Sequence, residues 1–310
     1  MPAEHDSRYK YLFSHPGFVE RLLTSFVDEP FVAEIDFANL ERVNTSFVSE
    51  EFQQRESDII WKLPLKDSTV YLFLLLEFQS TVDRRMPLRF LRYITAFYEA
   101  YLDEHPGTES LPAVFPLLLY NGDDRWSVPD RIEEMIEATI PERFIPRLSH
   151  YPIIINAIPK DRLERIKNAV SAVFYVENSD PENLAQEWDK LEAILKEEED
   201  HAYEVFQRLG RWLRNYLETG GRGDPETVDR VKSTREVKAM FGTKLKQYGE
   251  RVAQEAAERA RKEGRKEGRQ EGREVEREDI ALRMLDQGHS AAEIAEITGL
   301  SKEQIESVRK

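Results

Sequence analysis

The chain has 310 residues, of which 40% are apolar and 33% charged, with 59 acidic against 44 basic side chains for a net charge of −15. It has no cysteine, which excludes disulfides, thiolate zinc sites and a cysteine nucleophile. The acidic balance argues against a simple electrostatic coat on DNA, though not against an enzyme with a local basic groove.

Residues 1 to about 30 read as helix, with Asp6 a candidate N-cap and apolar side chains at 18, 19, 22, 23 and 26 in helical spacing. Residues 31 to 54 read as extended pieces around loops. Two strand-like apolar runs follow. One is Ser57-Asp58-Ile-Ile-Trp-Lys-Leu; the other runs from Val70 to Leu76 and continues Glu77-Phe-Gln79. They meet across the turn-prone Lys66-Asp67-Ser68. With Asp67-Ser68 as a two-residue loop, Asp58 faces Glu77, and Gln79 lies on the same face. Two carboxylates and an amide converging there suit a metal; two acids solvated at a frayed hairpin end are the plain alternative. Glu77 interrupts a run apolar enough to be buried on both faces, where an unpaired carboxylate is expensive, and this favours the metal.

Met86 to Leu102 reads as a helix with Leu88, Leu91, Ile94, Tyr98 and Leu102 near one stripe and Arg85, Arg89 and Arg92 on another. Pro112 to Tyr120 and Tyr151 to Ile158 read as buried strands, the first ending in the turn signal Asn121-Gly122. Strands alternating with helices imply a mixed sheet covered on both faces. From Lys160 onward helices are expected at about 161–175, 181–199, 201–218 and 225–241.

From Lys244 the composition changes. A four-residue repeat places glycines at 264, 268 and 272, and seven Lys/Arg stand against three Glu between Arg259 and Arg273. This is either a solvated linker or a self-associating helix. The last thirty residues hold two capping boxes, Ser290-x-x-Glu293 and Ser301-x-x-Gln304, with stop glycines at 288 and 299. The unit resembles a small helix-turn-helix. Glu303 and Glu306 offset Lys302, Arg309 and Lys310, which favours dimerisation or capping over DNA reading. The six histidines are scattered without paired-ligand spacing, and neither a phosphate-binding loop nor a Gly-x-Ser-x-Gly elbow is present.

Asp58 followed by Glu77-Phe-Gln79 on the next strand resembles the motif of the PD-(D/E)XK nuclease superfamily. More closely, the chain resembles the Rpn family of recombination-promoting nucleases, also described as transposases. The matching segments run in order: His5-Asp6-x-x-Tyr9-Lys10-x-Leu12-Phe13, Ser57-Asp58-Ile-Ile-Trp, Leu76-Glu77-Phe78-Gln79-Ser80, Met86-x-x-Arg89-x-x-x-Tyr93, then Leu119-Tyr120-Asn121-Gly122 with Trp126, and the Gly-rich charged tail. The resemblance implies a restriction-endonuclease-like α/β core, a mixed sheet flanked by helices, followed by a helical region and a charged helical tail. With the loss of strand pattern from Lys160 and the composition change at Lys244, the expected division is a nuclease core over 1–160, a helical extension over 161–243, a charged Gly-repeat segment over 244–278 and the small helical unit over 279–310.

The implied activity is Mg²⁺-dependent endonucleolytic cleavage of DNA, linked to recombination or transposition. Asp58 and Glu77 would ligate the cation, with Gln79 catalytic beside them. Where the superfamily usually has lysine this chain has Gln79, which carries no charge and cannot act as a base. Asp6 could add a carboxylate, and Arg89 and Arg92 could clamp phosphate. The rival expectation is an inactive relative that binds nucleic acid or protein as an oligomeric module. No transmembrane span or signal pattern is visible, so a cytoplasmic protein that forms homo-oligomers through its tail is expected.

Overall fold

The apolar run through residues 70–76 becomes the central strand of a five-stranded mixed sheet. In this computed structural model the described residues are 2–43, 59–77, 82–122, 124–179, 187–219, 233–237, 239, 257–258, 260–262, 264–265, 276–301, 304–305 and 307; at 2–7, 77 and 217–219 only the backbone is described. The strands are β1 (Glu41–Val43), β2 (Ile59–Pro64), β3 (Thr69–Glu77), β4 (Ala113–Tyr120) and β5 (Tyr151–Ile154), in the order β1-β2-β3-β4-β5. β1, β2 and β3 pair antiparallel, whereas β3–β4 and β4–β5 are parallel. The chain divides into two units, Met1–Tyr248 and Gly249–Lys310.

The β2–β3 hairpin has a different register from the one expected. Ile60 pairs with Phe73, Pro64 with Thr69, and Leu65 N donates to Ser68 O at 2.8 Å, so the loop is Lys66-Asp67. The shift of two residues keeps the alternation of faces, because the side-chain period along a strand is two.

Helix α3 (Met86–Glu104) makes the crossover between the parallel strands β3 and β4. It buries Met86, Arg89, Phe90, Tyr93, Ile94 and Phe97. Of the expected apolar stripe, Ile94 is buried, whereas Leu88 and Leu102 at its ends are exposed, at 41% and 46%. The aromatic side chains took the sheet face, where they meet Ile60, Phe73, Leu75, Leu118 and Tyr120 in one core. Large rings remove the most area from water, which decides between two stripes of similar polarity.

The opposite face is covered by helices from both ends of the first unit. These are α1 (Pro2–Phe13), α2 (Pro16–Phe26), α4 (Lys160–Ile166), α5 (Ala169–Glu177), α6 (Trp188–His201) and α7 (Tyr203–Thr219). Trp61 Nε1 donates to Phe13 O at 3.0 Å, which ties β2 to the end of α1. Helix α5 is buried on every side from Ala169 to Val176, the pattern of a helix enclosed by others, and Phe174 meets Phe26 of α2 edge-on at 4.9 Å. Residues 161–219 therefore pack directly on helices from the first 26 residues. Helix α1 begins at Pro2, so Asp6 lies inside it and not at its N-cap.

In the second unit, α8 (Ala291–Thr298) follows a helical stretch at 276–286. Ala281, Ile294, Leu300 and Ile305 form its core. Both capping boxes are made: Ser290 N donates to Glu293 Oε2 at 2.9 Å, and Ser301 N to Gln304 Oε1 at 2.9 Å. Gly299 ends α8 at φ 69°, a backbone conformation that L side chains rarely adopt. Most of the glycine repeat, on which the expected self-association rests, lies outside the described residues. Among the described residues no helix is long and apolar enough to cross a membrane.

Candidate functional site

In open sheets with parallel strands, functional groups gather beyond the carboxyl ends of the strands, where backbone and loops leave room for a ligand. Here that edge belongs to β3 and β4. Glu77 is the last residue of β3, its Cα in parallel register with Tyr120, the last residue of β4. An acid interrupting a long apolar run is the sequence signal that singled it out, and in the structure Leu72 to Leu76 of that run are buried. Its side chain is not described, and Asp58 and Gln79 lie outside the described residues. Asp6 is described by its backbone alone, within α1.

Helix α3 starts soon after β3 and runs back along it, so its first turns lie toward the same edge. Arg89 is only 7% exposed, not the solvated arginine of a surface stripe. Its Nε donates to Tyr93 Oη at 3.1 Å, and its guanidinium sits 5.5 Å from the centre of that ring. Arg92, one turn along, is exposed.

The turn that follows β4 is held from several directions. Tyr120 Oη donates to Asp124 O at 2.8 Å, and Trp126 packs 4.8 Å from the Tyr120 ring. Asn156 Nδ2 donates to Gly122 O at 2.7 Å. Asn121 Nδ2 reaches Glu177 Oε2, at the end of α5, at 3.4 Å. Glu177 also faces Arg8 of α1, with Nη1 and Oε1 separated by 3.9 Å.

Both charges of this pair are enclosed, the Arg8 side chain at 0% exposure and Glu177 at 9%. Burial raises the Glu177 pKa, while Arg8 and the Asn121 hydrogen bond oppose the rise. Tyr9 is fully buried beside them. Desolvation, then the Glu177 charge, hold its phenol well above the ordinary value, so it stays protonated. The Arg8 guanidinium lies 5.7 Å from the Tyr216 ring of α7.

Sequence reasoning missed this pair. One signal was available: Glu177 ends a helix whose preceding eight residues contain no charge. His150 was missed as well. It is 4% exposed, stacks on Phe90 of α3 at 5.0 Å, and neither ring nitrogen has a hydrogen-bond partner among the described residues. Desolvation lowers its pKa to about 4.

Among the described residues no group of three or more His, Cys, Asp or Glu could hold a metal ion. A metal reading therefore rests on Asp58 and Glu77. Two carboxylates with a neighbouring amide are an all-oxygen donor set, which suits a hard divalent cation such as Mg²⁺.

The chain is 30% identical over 118 residues to recombination-promoting nuclease RpnA of Escherichia coli K12, covering 38% of this chain and 40% of that protein. It is 26% identical over 163 residues to recombination-promoting nuclease RpnD of Escherichia coli O157:H7, covering 51% of this chain and 61% of that protein. It is also 28% identical over 121 residues to the inactive recombination-promoting nuclease-like protein RpnE of Escherichia coli K12, covering 39% of this chain and 40% of that protein. In each case the chain spans less than two thirds of the length of the relative it matches. No solved structure matches. A family model described as "Putative transposase, YhgA-like" matches residues 3–205, which include β3, β4, Glu77 and the Arg8–Glu177 pair. With that match covering most of its length, the chain belongs to the YhgA-like transposase family, alongside the recombination-promoting nucleases.

Proposed function

We propose that this chain is a divalent-metal-dependent DNA endonuclease that hydrolyses phosphodiester bonds in recombination or transposition. The observation that carries the reading is the position of Glu77: an acid ending the buried central strand, at the carboxyl edge where the Asn121 turn and the start of α3 also lie. Asp58 and Glu77 would hold Mg²⁺, for which their oxygen donors fit. Bound there, the cation would lower the pKa of a water and offset charge developing on the phosphoryl oxygens.

The remaining roles fall to side chains of the chain itself. Gln79 cannot accept a proton as lysine's free amine can, so it would orient water or phosphate through its amide. Arg89 is already fixed by Tyr93 and would offer a preorganised guanidinium to a phosphate; Arg92 would add a second, solvent-facing one. Asp6, freed from a capping role, would be an auxiliary carboxylate. DNA is the proposed substrate because relatives are named as recombination-promoting nucleases.

The test is nicking of supercoiled plasmid with and without Mg²⁺. Asp58→Ala and Glu77→Ala should each abolish metal-dependent nicking and leave the far-UV circular dichroism unchanged. Retained cleavage in both variants would sink the assignment. A second reading, an inactive binding module, is favoured by the similarity to RpnE and by Gln79 in place of lysine. Calorimetric titration separates the two, since the inactive module would bind neither Mg²⁺ nor Mn²⁺ at Asp58 and Glu77.

A further inference from the structure

We propose that the buried Arg8–Glu177 pair, acting through Asn121, is a positioning device that fixes the end of β4 against the metal-bearing end of β3; this rests on the nuclease reading above.

The first ground is contrast with another ion pair in the same unit. Arg21 grips Glu198 through two short bonds, Nε to Oε1 at 2.6 Å and Nη2 to Oε2 at 2.5 Å, and Glu198 Oε1 also accepts from Ala169 N at 2.8 Å. That is the geometry of a pair that holds helices together. Arg8 is more deeply buried than Arg21 yet stands 3.9 Å from Glu177, whose Oε1 accepts no hydrogen bond among the described residues. A buried pair recovers its desolvation only with close contacts, and apolar side chains of similar size commonly leave a fold as stable or more so. At 3.9 Å this ion pair by itself is therefore a weak source of stability.

The second ground is where the pair acts. Glu177 Oε2 takes the amide of Asn121, and Asn121 directly follows Tyr120, the residue in register with Glu77. One contact and one peptide unit thus link the buried carboxylate to the strand position beside the candidate ligand. Arg8 meanwhile ties the same carboxylate to α1, two residues after Asp6, and to Tyr216 of α7. Three segments distant in sequence are set against one strand end by a single charge. A site that must hold metal ligands to within a fraction of an ångström needs such support, and loss of supporting groups typically lowers metal affinity or activity 10–100-fold.

The test uses the full chain and the plasmid assay, read as kcat, KM for DNA and the Mg²⁺ concentration at half-maximal rate. Arg8→Met/Glu177→Leu removes both charges at similar volume. It should melt near the wild-type temperature while kcat falls about 100-fold and half-saturating Mg²⁺ rises about tenfold, with KM for DNA little changed. Asn121→Ala leaves the charges in place and breaks the link. It should lower kcat about tenfold and raise half-saturating Mg²⁺, which keeps the proposal exposed if the double variant does not fold. A double variant that folds and cuts within threefold of wild type, or an Asn121→Ala protein with unchanged kcat and metal dependence, overturns the positioning role. A wild-type protein that cuts no DNA in Mg²⁺ or Mn²⁺ overturns the nuclease reading first, and the inference with it.

Discussion

Replacing Glu198 by alanine strikes the contact that joins α2, α5 and α6. The side chain is 4% exposed, and it receives two bonds from Arg21 and one from Ala169 N, so the substitution takes the two-bond partner from a cation and leaves the first amide of α5 unpaired. Breaking a buried pair by removing one partner costs about 3–5 kcal/mol when the survivor is sealed from water. Arg21 retains 20% exposure and Gly17 O accepts from its Nη1 at 3.0 Å, so the lower end, about 3 kcal/mol, is expected. In a unit of this size each kcal/mol moves the melting temperature by about 2–4 °C, which gives a drop of about 6–12 °C. Thermal unfolding followed at 222 nm in far-UV circular dichroism measures it. In an Arg21→Ala background the same substitution should cost about 1.5–3 kcal/mol less, because the partner is already gone. A fall below about 2 °C for Glu198→Ala would show that the pair is surface decoration and that residues 161–219 do not brace the N-terminal helices.

Two further outcomes follow from other buried groups. His150 binds a proton near pH 6.5 when unfolded but only near pH 4 when folded, so its contribution is complete above 6.5 and fades as pH falls toward 4. Stability should decline by about 2 kcal/mol between pH 7 and 5 through this group alone, and His150→Phe, which keeps the stack on Phe90, should flatten that part of the urea-midpoint profile; an unaltered profile refutes it. At Gly17 a Cβ would lie 2.7 Å from Val205 Cγ2 and 3.2 Å from His15 Nδ1, so Gly17→Ala should destabilise by about 1–3 kcal/mol, with Val205→Ala restoring part of the loss in urea titration.

The parts of the fold that could be read from the sequence are those written in neighbouring residues. The seven apolar residues before Glu77 are far too few to span a membrane and read as a buried strand, and the two capping boxes near the C-terminus specify their own hydrogen bonds within four residues. The hairpin register could not be read the same way. Lys66, Asp67 and Ser68 all suit a turn, and the choice among them is made by the pairing of Leu65 with Ser68 and of Ile35 with Leu65. The stripe of α3 was ambiguous for a similar reason: leucines and aromatics both recur at helical spacing, and the sheet selected the aromatics. At the candidate site, Glu77 was visible because its neighbours are uniformly apolar. Arg8 was not, since it looks like an ordinary charge until a fold encloses it, and Glu177 was marked only by the uncharged run before it.

The two outer strands have a consequence for how this protein keeps company with itself. β1 is three residues long and carries Glu41 and Arg42 at its exposed positions, with Lys62 reaching Glu41 at 2.9 Å. β5 is four residues long and contains Pro152, which has no amide hydrogen to offer an incoming strand. Short, charged or proline-bearing borders of this kind are poor templates for strand addition. Among the described residues, neither border of the sheet therefore favours growth into fibrils by strand addition.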